Sequence, residues 1–535
     1  MVRPEVRTTI EGSMTRSIPT HADVVVVGAG HNGLVAATLL ARAGLNVVVC
    51  ERDGVLGGAV RTEHPFARVP GLGQSTGAYL LGLMPPELIG LLDIDVPMLR
   101  RDPHYFLPTT GSNHLLLGAD RAANTAAIMS AFGVEDAKAD EALGAELAAL
   151  REDIAPTWLS EPLSIEDTAE RFVRPALREV FVEMCRGSVA SYLDRFGFKS
   201  DLLLAMYIVT DGLSGLHAGP DTPGSGHNFL AHNMGRLPGA EGAWMIVRGG
   251  MGTVSARIAD AARAAGATFI TDSPVQRVLV EGGRACGVAL SNDHTVSASV
   301  VVGGCDPFQL AALTGDALPT ALTSQLAHLQ RSGTTLKLNL ALRDLPRFSC
   351  LPEDSASPFG ATVHLLPDGP DVVDAVRSMW ADVEAGRLPE FPTIEWYVHT
   401  TVDPSLQDEK GHHSSALFVQ SVPYTLSATT WDDALPSYVE HLLSICDRFA
   451  PGTSDLVADT LPLAPPDIER RFGITHGHIH HVDNAFAFAD RVPYSWLPGL
   501  YAASAGCHPA GSVIGAAGHN AAQRVLADLG LPPAR

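Results

Sequence analysis

One stretch of forty residues constrains this chain more than any other, Asp23 to Thr62, DVVVVGAGHNGLVAATLLARAGLNVVVCERDGVLGGAVRT. Val24 to Val27 are four consecutive valines, the pattern of a strand buried on both faces. Gly28, Gly30 and Gly33 then interrupt the chain ahead of an apolar-periodic segment reaching Ala43, and Gly44 stands where a helix C-cap belongs. A second apolar strand from Asn46 to Cys50 ends on Glu51, 18 residues after Gly33. Strand, glycine turn, helix, strand and acid in this register predict a dinucleotide-binding βαβ unit.

Each glycine has its own reason to be there. Gly28 permits the tight turn, Gly30 lets backbone approach a pyrophosphate, and Gly33 lets helix and strand pack closely. The unpaired N–H groups of the helix, with a terminal charge of roughly +0.5, hold the anion. Glu51 accepts from ribose hydroxyls and repels a 2′-phosphate, which disfavours NADP. Gly57 and Gly58, followed by Arg61, offer a second close backbone approach.

Whole-chain properties narrow the class. The 535 residues suggest two to four structural units, and 46% hydrophobic against 18% charged residues describes a core-rich globular protein. A formal charge of −22 argues against a nucleic-acid partner and gives no attraction to an anionic membrane. The seven cysteines form no CxxC and no close pair, so neither a zinc site nor a redox dithiol is expected. With no apolar targeting segment, the expected setting is a reducing, cytoplasmic one. Residues 1–20 read as a disordered leader, and no uncharged run reaches the roughly 18 residues a membrane span needs. Peripheral contact with a membrane stays open.

Further along, residues 71–92 are apolar and glycine-rich, with core packing the commoner fate and a substrate channel the alternative. Residues 120–153 read as two amphipathic helices split near Gly133, and helical periodicity returns from Ile165 to Phe198. Leu202 to Val209 fits a buried helix or a strand equally. Residues 210–235 read as a long Gly/Pro/His loop in which His217, His227 and His232 make hydrogen bonds. Trp244 to Asp272 imitates a second nucleotide fingerprint, but Ser255 occupies its third glycine position. Strand from Ser273 and a hairpin about Asn292-Asp293 follow.

Residues 311–460 mix strands (335–342, 393–401, 416–422) with a helix at 438–449 and read as a cap over the ligand. GITHGHIHH, with His476, His478, His480 and His481, reads as a strand of alternating histidines forming a polar substrate wall, and no metal is expected there. At the C-terminal end a strand at 500–503 leads through small residues to a helix from about Gly515, a third glycine-rich turn aimed at something large.

These motifs together resemble the phytoene desaturase-like family of flavoproteins. They are GAGHNGLVAA with Glu51 and Gly57-Gly58, TPGSG at 222–226, GAW and GGMG within 242–252, VPYTL at 422–426, and LYAASAGCHPAGSVIGAAGHNAA from Leu500. The resemblance implies one noncovalent FAD on an α/β, Rossmann-type domain assembled from discontinuous segments (21–85, 241–310 and 491–535), with an α+β substrate or cap domain from 86–240 and 311–490. It implies that Gly28, Gly30, His31, Asn32, Gly33, Glu51 and Arg52 bind the ADP half. Gly57 and Gly58 then lie near the pyrophosphate, Val275 contacts adenine through its backbone, and Gly506, Ser512, Val513 and Ile514 approach the flavin.

The chain also departs from the family. Ala59 stands where the family commonly has Arg, which leaves open whether Arg61 substitutes for it. Ser504, Ala510 and Ser512 replace usual glycines and are expected to narrow the space beside the flavin, and the segment between His481 and Gly499 is short. The activity implied is desaturation or oxidation of a small apolar, polyene- or isoprenoid-like substrate by hydride transfer to flavin N5, with His508 and then His481 as the polar catalytic partner. The rivals are amine oxidation, ranked lower because the C-terminal motif lacks aromatics, a reductive or cyclising step on a polyene, and a flavin-bearing interaction protein without turnover. The electron acceptor stays open.

Overall fold

The computed structural model describes residues 19–240 and 242–534, so the expected leader at 1–20 lies almost wholly outside the described residues. Two sheets organise the fold. In the first, parallel strands Thr268–Ile270, Val47–Cys50, His21–Val27, Thr295–Gly303 and Leu500–Ala502 lie side by side in that order. This is the arrangement of a doubly wound nucleotide fold, with the fingerprint strand at its centre and Val24 to Val26 fully buried. Strands Val275–Glu281 and Arg284–Leu290 form an antiparallel hairpin beside the start of Thr295–Gly303, turning at Gly282-Gly283.

The fingerprint helix, His31–Arg42, is buried from Asn32 to Ala41. It packs against helices Gly252–Ala264 and Ala516–Asp528. The approach is close, since a Cβ on Gly518 would overlap the Asn32 carbonyl. Ser255 settles the imitation fingerprint. Its hydroxyl donates to Val60 O at 2.6 Å, and a Cβ on Gly57 would come within 2.7 Å of that oxygen. The turn therefore packs on the second glycine loop, at Gly57 and Val60, instead of opening a second cradle.

The second sheet has seven strands in the order Val457–Leu463, Thr335–Leu342, His413–Gln420, Ile394–Val398, Thr362–Leu365, Tyr105–Pro108 and His114–Leu117. Its neighbours are antiparallel except for the parallel pair Thr362–Leu365 and Tyr105–Pro108. Every residue of Thr335–Leu342 is buried. Helices Arg121–Phe132 and Val134–Ile154, divided at Gly133, flank this part as the periodicity predicts.

Several expectations change. Leu202 to Val209 is helical, Asp201–Tyr207 continuing into a π-helical turn at Ile208–Gly212. The long loop at 210–235 contains helix Ser225–His232, started by Gly224 in a left-handed conformation and anchored where the Ser225 hydroxyl accepts from Val189 N at 2.9 Å. Its Gly-rich composition conceals a helix stabilised by tertiary burial. GITHGHIHH is not a strand: a 3-10 turn spans Thr475–Gly477, and positive φ at Gly473, His476, Gly477 and His481 destroys the alternation. The helix expected at 438–449 starts at Trp431, and strand Val457–Leu463 had no counterpart in the sequence reading. No helix among the described residues is long and apolar enough to cross a membrane.

Candidate active site

A cavity of about 380 Å³ is lined from both sheets, within the range of small-molecule sites. At the nucleotide end its wall includes Gly28, Gly30, His31, Asn32, Glu51, Arg52, Gly57, Gly58 and Val275. Gly33 lies beneath the turn, where a Cβ would overlap the Gly28 carbonyl oxygen. The two glycine loops meet where Gly57 N donates to Ala29 O at 2.9 Å. The fingerprint helix has no side-chain cap and no acid in its first turn, so its first N–H groups are left for an anion. Glu51 is buried, accepting from Ala29 N at 2.8 Å and Asp53 N at 3.0 Å. These features fit a dinucleotide cofactor: a side-chain-free cradle, open N–H donors and one fixed acid.

Arg61 does not replace the missing arginine at position 59. Its guanidinium pairs with Asp53 at 3.0 Å and Glu63 at 3.6 Å and lies over the Phe472 ring, away from the cavity wall. Arg52 lines the cavity and donates to Arg471 O at 2.7 Å.

At the C-terminal motif, Ala505, Ser512 and Val513 line the cavity, whereas Gly506 and Ile514 stand behind that wall. Of the three residues expected to crowd the flavin, only Ser512 reaches the cavity wall. The Ser504 hydroxyl is turned inward, accepting from Gly506 N at 3.0 Å, and Ala510 packs into the helical core of the cap. The short segment after His481 is held by Arg491, whose guanidinium donates to the carbonyls of Val482, Asp483, Phe486, Ala505 and Cys507 and to the Asn484 side chain. Burial lowers its pKa to about 10.

The histidines separate. His31 and His481 line the cavity, with His31 Nε2 and His481 Nδ1 buried and without a partner. Burial pulls His31 down to about 4 and His481 to about 3, so both rings are neutral at pH 7. His480 also faces the cavity and donates to Ser214 O at 2.9 Å, while His478 is buried against Asp483 at 3.2 Å. His508, expected to be the catalytic partner, must be corrected. Its ring lies outside the main cavity beside Phe488, donates to Thr157 O at 2.9 Å and is held neutral by burial. His217 and His227 are bonded to Ser332 O and Asn484 O, and His232 reaches the cavity 3.8 Å from Asp211. No group of three or more potential ligands among the described residues could hold a metal.

The opposite end of the cavity carries side chains absent from the sequence reading. Lys337 Nζ lies 4.3 Å from the Tyr79 ring centre and 4.5 Å from that of Phe418, and burial lowers its pKa to about 7. Burial raises Glu395 to about 7, and it accepts from Tyr397 Oη and from Gln420 Nε2 at 2.7 Å. Arg101, Tyr105, Asp211 and His364 complete this wall, and Tyr105 stacks on His364 at 4.7 Å. One signal was available: Lys337 and Glu395 are the single charges in the strands TLKLNLAL and IEWYV. Arg101 had no such signal.

A nucleotide-binding sheet and a cap sheet closing on one cavity define an FAD-dependent oxidoreductase of the flavin amine oxidase-like fold. The chain belongs to the flavin-containing amine oxidoreductase family, whose model matches residues 33–359, and its cofactor is FAD. It is 33% identical to the rat (Rattus norvegicus) pyridine nucleotide-disulfide oxidoreductase domain-containing protein 2, over 95% of this chain and 94% of the relative. It is 27% identical to the hydroxyneurosporene desaturase of Cereibacter sphaeroides, over 95% and 98%. Among solved structures, an oxidoreductase from Methanosarcina mazei superposes with a TM-score of 0.62 at 17% identity, over 94% of this chain and 99% of that one. The phytoene desaturase-like resemblance and the α/β fold class both stand.

Proposed function

We propose that this oxidoreductase desaturates or oxidises a largely apolar, isoprenoid-like substrate, removing a hydride and a neighbouring proton. The observation that carries the reading is the continuity of the cavity: the glycine cradle opens onto a sleeve of Tyr79, Leu80, Trp244, Phe418 and Ile479. Bound FAD supplies the hydride acceptor. Gly28, Gly30, Gly33, Gly57 and Gly58 give the close backbone approach, with His31, Asn32, Glu51, Arg52 and Val275 around the ADP half and Ser512 and Val513 beside the flavin. Residues 21–85, 241–310 and 491–535 form the FAD-binding domain in this reading, and the intervening segments the cap. The likeness to hydroxyneurosporene desaturase supports the substrate class.

Lys337 receives the proton. Both Glu395 carboxylate oxygens already accept hydrogen bonds, whereas Lys337 Nζ faces the cavity, and its lowered pKa leaves a neutral amine available near pH 7. His31 and His481, neutral with unpartnered ring nitrogens, hydrogen-bond the cofactor. The aromatic rings around the cavity, which come from segments other than the C-terminal motif, favour amine oxidation as a second reading. The buried guanidinium of Arg101 in the same wall weighs against a simple cationic amine.

The test is anaerobic mixing of the FAD-loaded enzyme with a panel of terpenoid hydrocarbons and alcohols, a panel of primary amines, and NADPH, followed by flavin absorbance. Bleaching by a terpenoid supports the proposal. Bleaching by amines alone replaces it with amine oxidation, and bleaching by NADPH ahead of every terpenoid reverses the direction.

A further inference from the structure

Two arginines in this molecule are almost completely buried and are treated very differently. Arg491 is 1% exposed, and each of its three guanidinium nitrogens donates to acceptors in the surrounding loop. Arg101 is 3% exposed, but only two of its nitrogens are used: Nε donates to Trp244 O and Nη1 to Thr362 Oγ1, both at 2.7 Å. Among the described residues Nη2 has no acceptor and no carboxylate lies within 4.0 Å of the guanidinium, Glu395 acting on it only from further away. The open edge belongs to a side chain that lines the cavity.

Removing a guanidinium from water without a counter-ion is expensive, and a structural arginine avoids it in the way Arg491 does. The carboxylates of this region are engaged elsewhere. Glu395 accepts from Tyr397 and Gln420, and Asp211 accepts from the Tyr105 hydroxyl at 3.3 Å and lies 3.8 Å from His232. The cavity that holds Arg101 and the glycine loops is also lined by the apolar surfaces of Tyr79, Leu80, Trp244 and Phe418.

We propose that Arg101 anchors a carboxylate carried by the substrate, which makes the substrate an amphipathic acid: an apolar body lying along the aromatic sleeve and one carboxylate on the guanidinium edge. A planar fork with donors to spare matches a carboxylate better than a hydroxyl or a carbonyl. The inference rests on the proposed function and sharpens its substrate class.

Dodecanoate, its methyl ester, dodecylamine and acetate serve as probes, titrated at pH 8 into the FAD-loaded wild type and into Arg101→Gln and Arg101→Lys variants. Binding is read by flavin difference spectra and by calorimetry. The wild type is expected to bind dodecanoate about tenfold or more tighter than the ester. Arg101→Gln removes that preference while leaving ester affinity unchanged, and Arg101→Lys keeps part of it. Equal affinity for acid and ester, tighter binding of the amine, or an acid preference surviving in Arg101→Gln overturns the anchor. Acetate binding as tightly as dodecanoate overturns the apolar body. Should Arg101→Gln fail to fold, the acid-to-ester ratio in the wild type and Arg101→Lys decides. Calorimetry reads that ratio without flavin, so loss of the carboxylate anchor is distinguishable from failure of the flavin-dependent function.

Discussion

The two ends of the cavity are built on opposite principles. The nucleotide end is a surface of backbone, in which two glycine loops touch and the open N–H groups of a helix face the space between them. The opposite end is a surface of side chains, in which Lys337 and the Glu395–Tyr397 pair come from two strands that flank His413–Gln420 in the second sheet, and Arg101 comes from the segment before that sheet's strand Tyr105–Pro108. A backbone cradle depends on the absence of side chains, a requirement that a few glycines meet within one βαβ unit. A side-chain array depends on charges held out of water, so each member's protonation is set by its neighbours. Substitutions at the two ends should therefore fail in different ways.

The largest effect belongs to the nucleotide end. Gly33→Val drives a side chain into the Gly28 carbonyl, and the expected product is a colourless protein destabilised by about 3 kcal/mol. Flavin content and a melting curve check both parts, and normal FAD retention would contradict the cradle. At the opposite end, Lys337→Met preserves the packing over Tyr79 and Phe418. That variant should keep its FAD and its fold while anaerobic flavin reduction slows by about 10²-fold. An unchanged rate would remove Lys337 from the proton transfer.

A smaller but more diagnostic effect lies in the pH profile. Lys337 is lowered to about 7 and in the proposed reaction works as the neutral amine, so the reduction rate should fall about tenfold per pH unit below that value and level off above it. Glu395, raised to about 7, titrates in the same window, so the measured midpoint belongs to the pair. In Lys337→Met the Lys337-dependent fall should vanish. Persistence of the whole limb would assign it to another group.

The smallest effect on catalysis is expected at His508. It lies outside the cavity, and His508→Ala removes one buried hydrogen bond to Thr157 O. Stopped-flow reduction should stay within about twofold of wild type, and chemical denaturation should show a loss of about 1 kcal/mol. A large fall in rate with FAD still bound would return His508 to the chemistry.

Legibility follows the same division. The glycines, Glu51 and the strand–helix alternation were readable because their geometry is set by neighbours a few residues away. The second sheet was partly readable, since a fully buried strand such as Thr335–Leu342 announces itself through apolar content. Lys337, a lone charge in that strand, was passed over in the sequence reading although its setting called for a reason. His508 misled because proximity in sequence to Ser512 suggested proximity to the cofactor, whereas the ring turns into the helical core beside Phe488. The histidine run misled in another way: period-two spacing implies a strand only where the backbone is extended, and four residues at positive φ between 473 and 481 prevent that.

The sequence alone determined the cofactor class and the fold that holds it, because a dinucleotide is recognised by local backbone shape, and shape of that kind is encoded in glycine spacing. Tertiary structure decided which side chains meet the substrate. Strand order in the second sheet brings residues 337 and 395 to one wall, Arg101 is tied to that wall through Trp244 O and Thr362 Oγ1, and the burial that follows sets their charges. Long-range pairing and desolvation act between segments hundreds of residues apart, where no local pattern can record them.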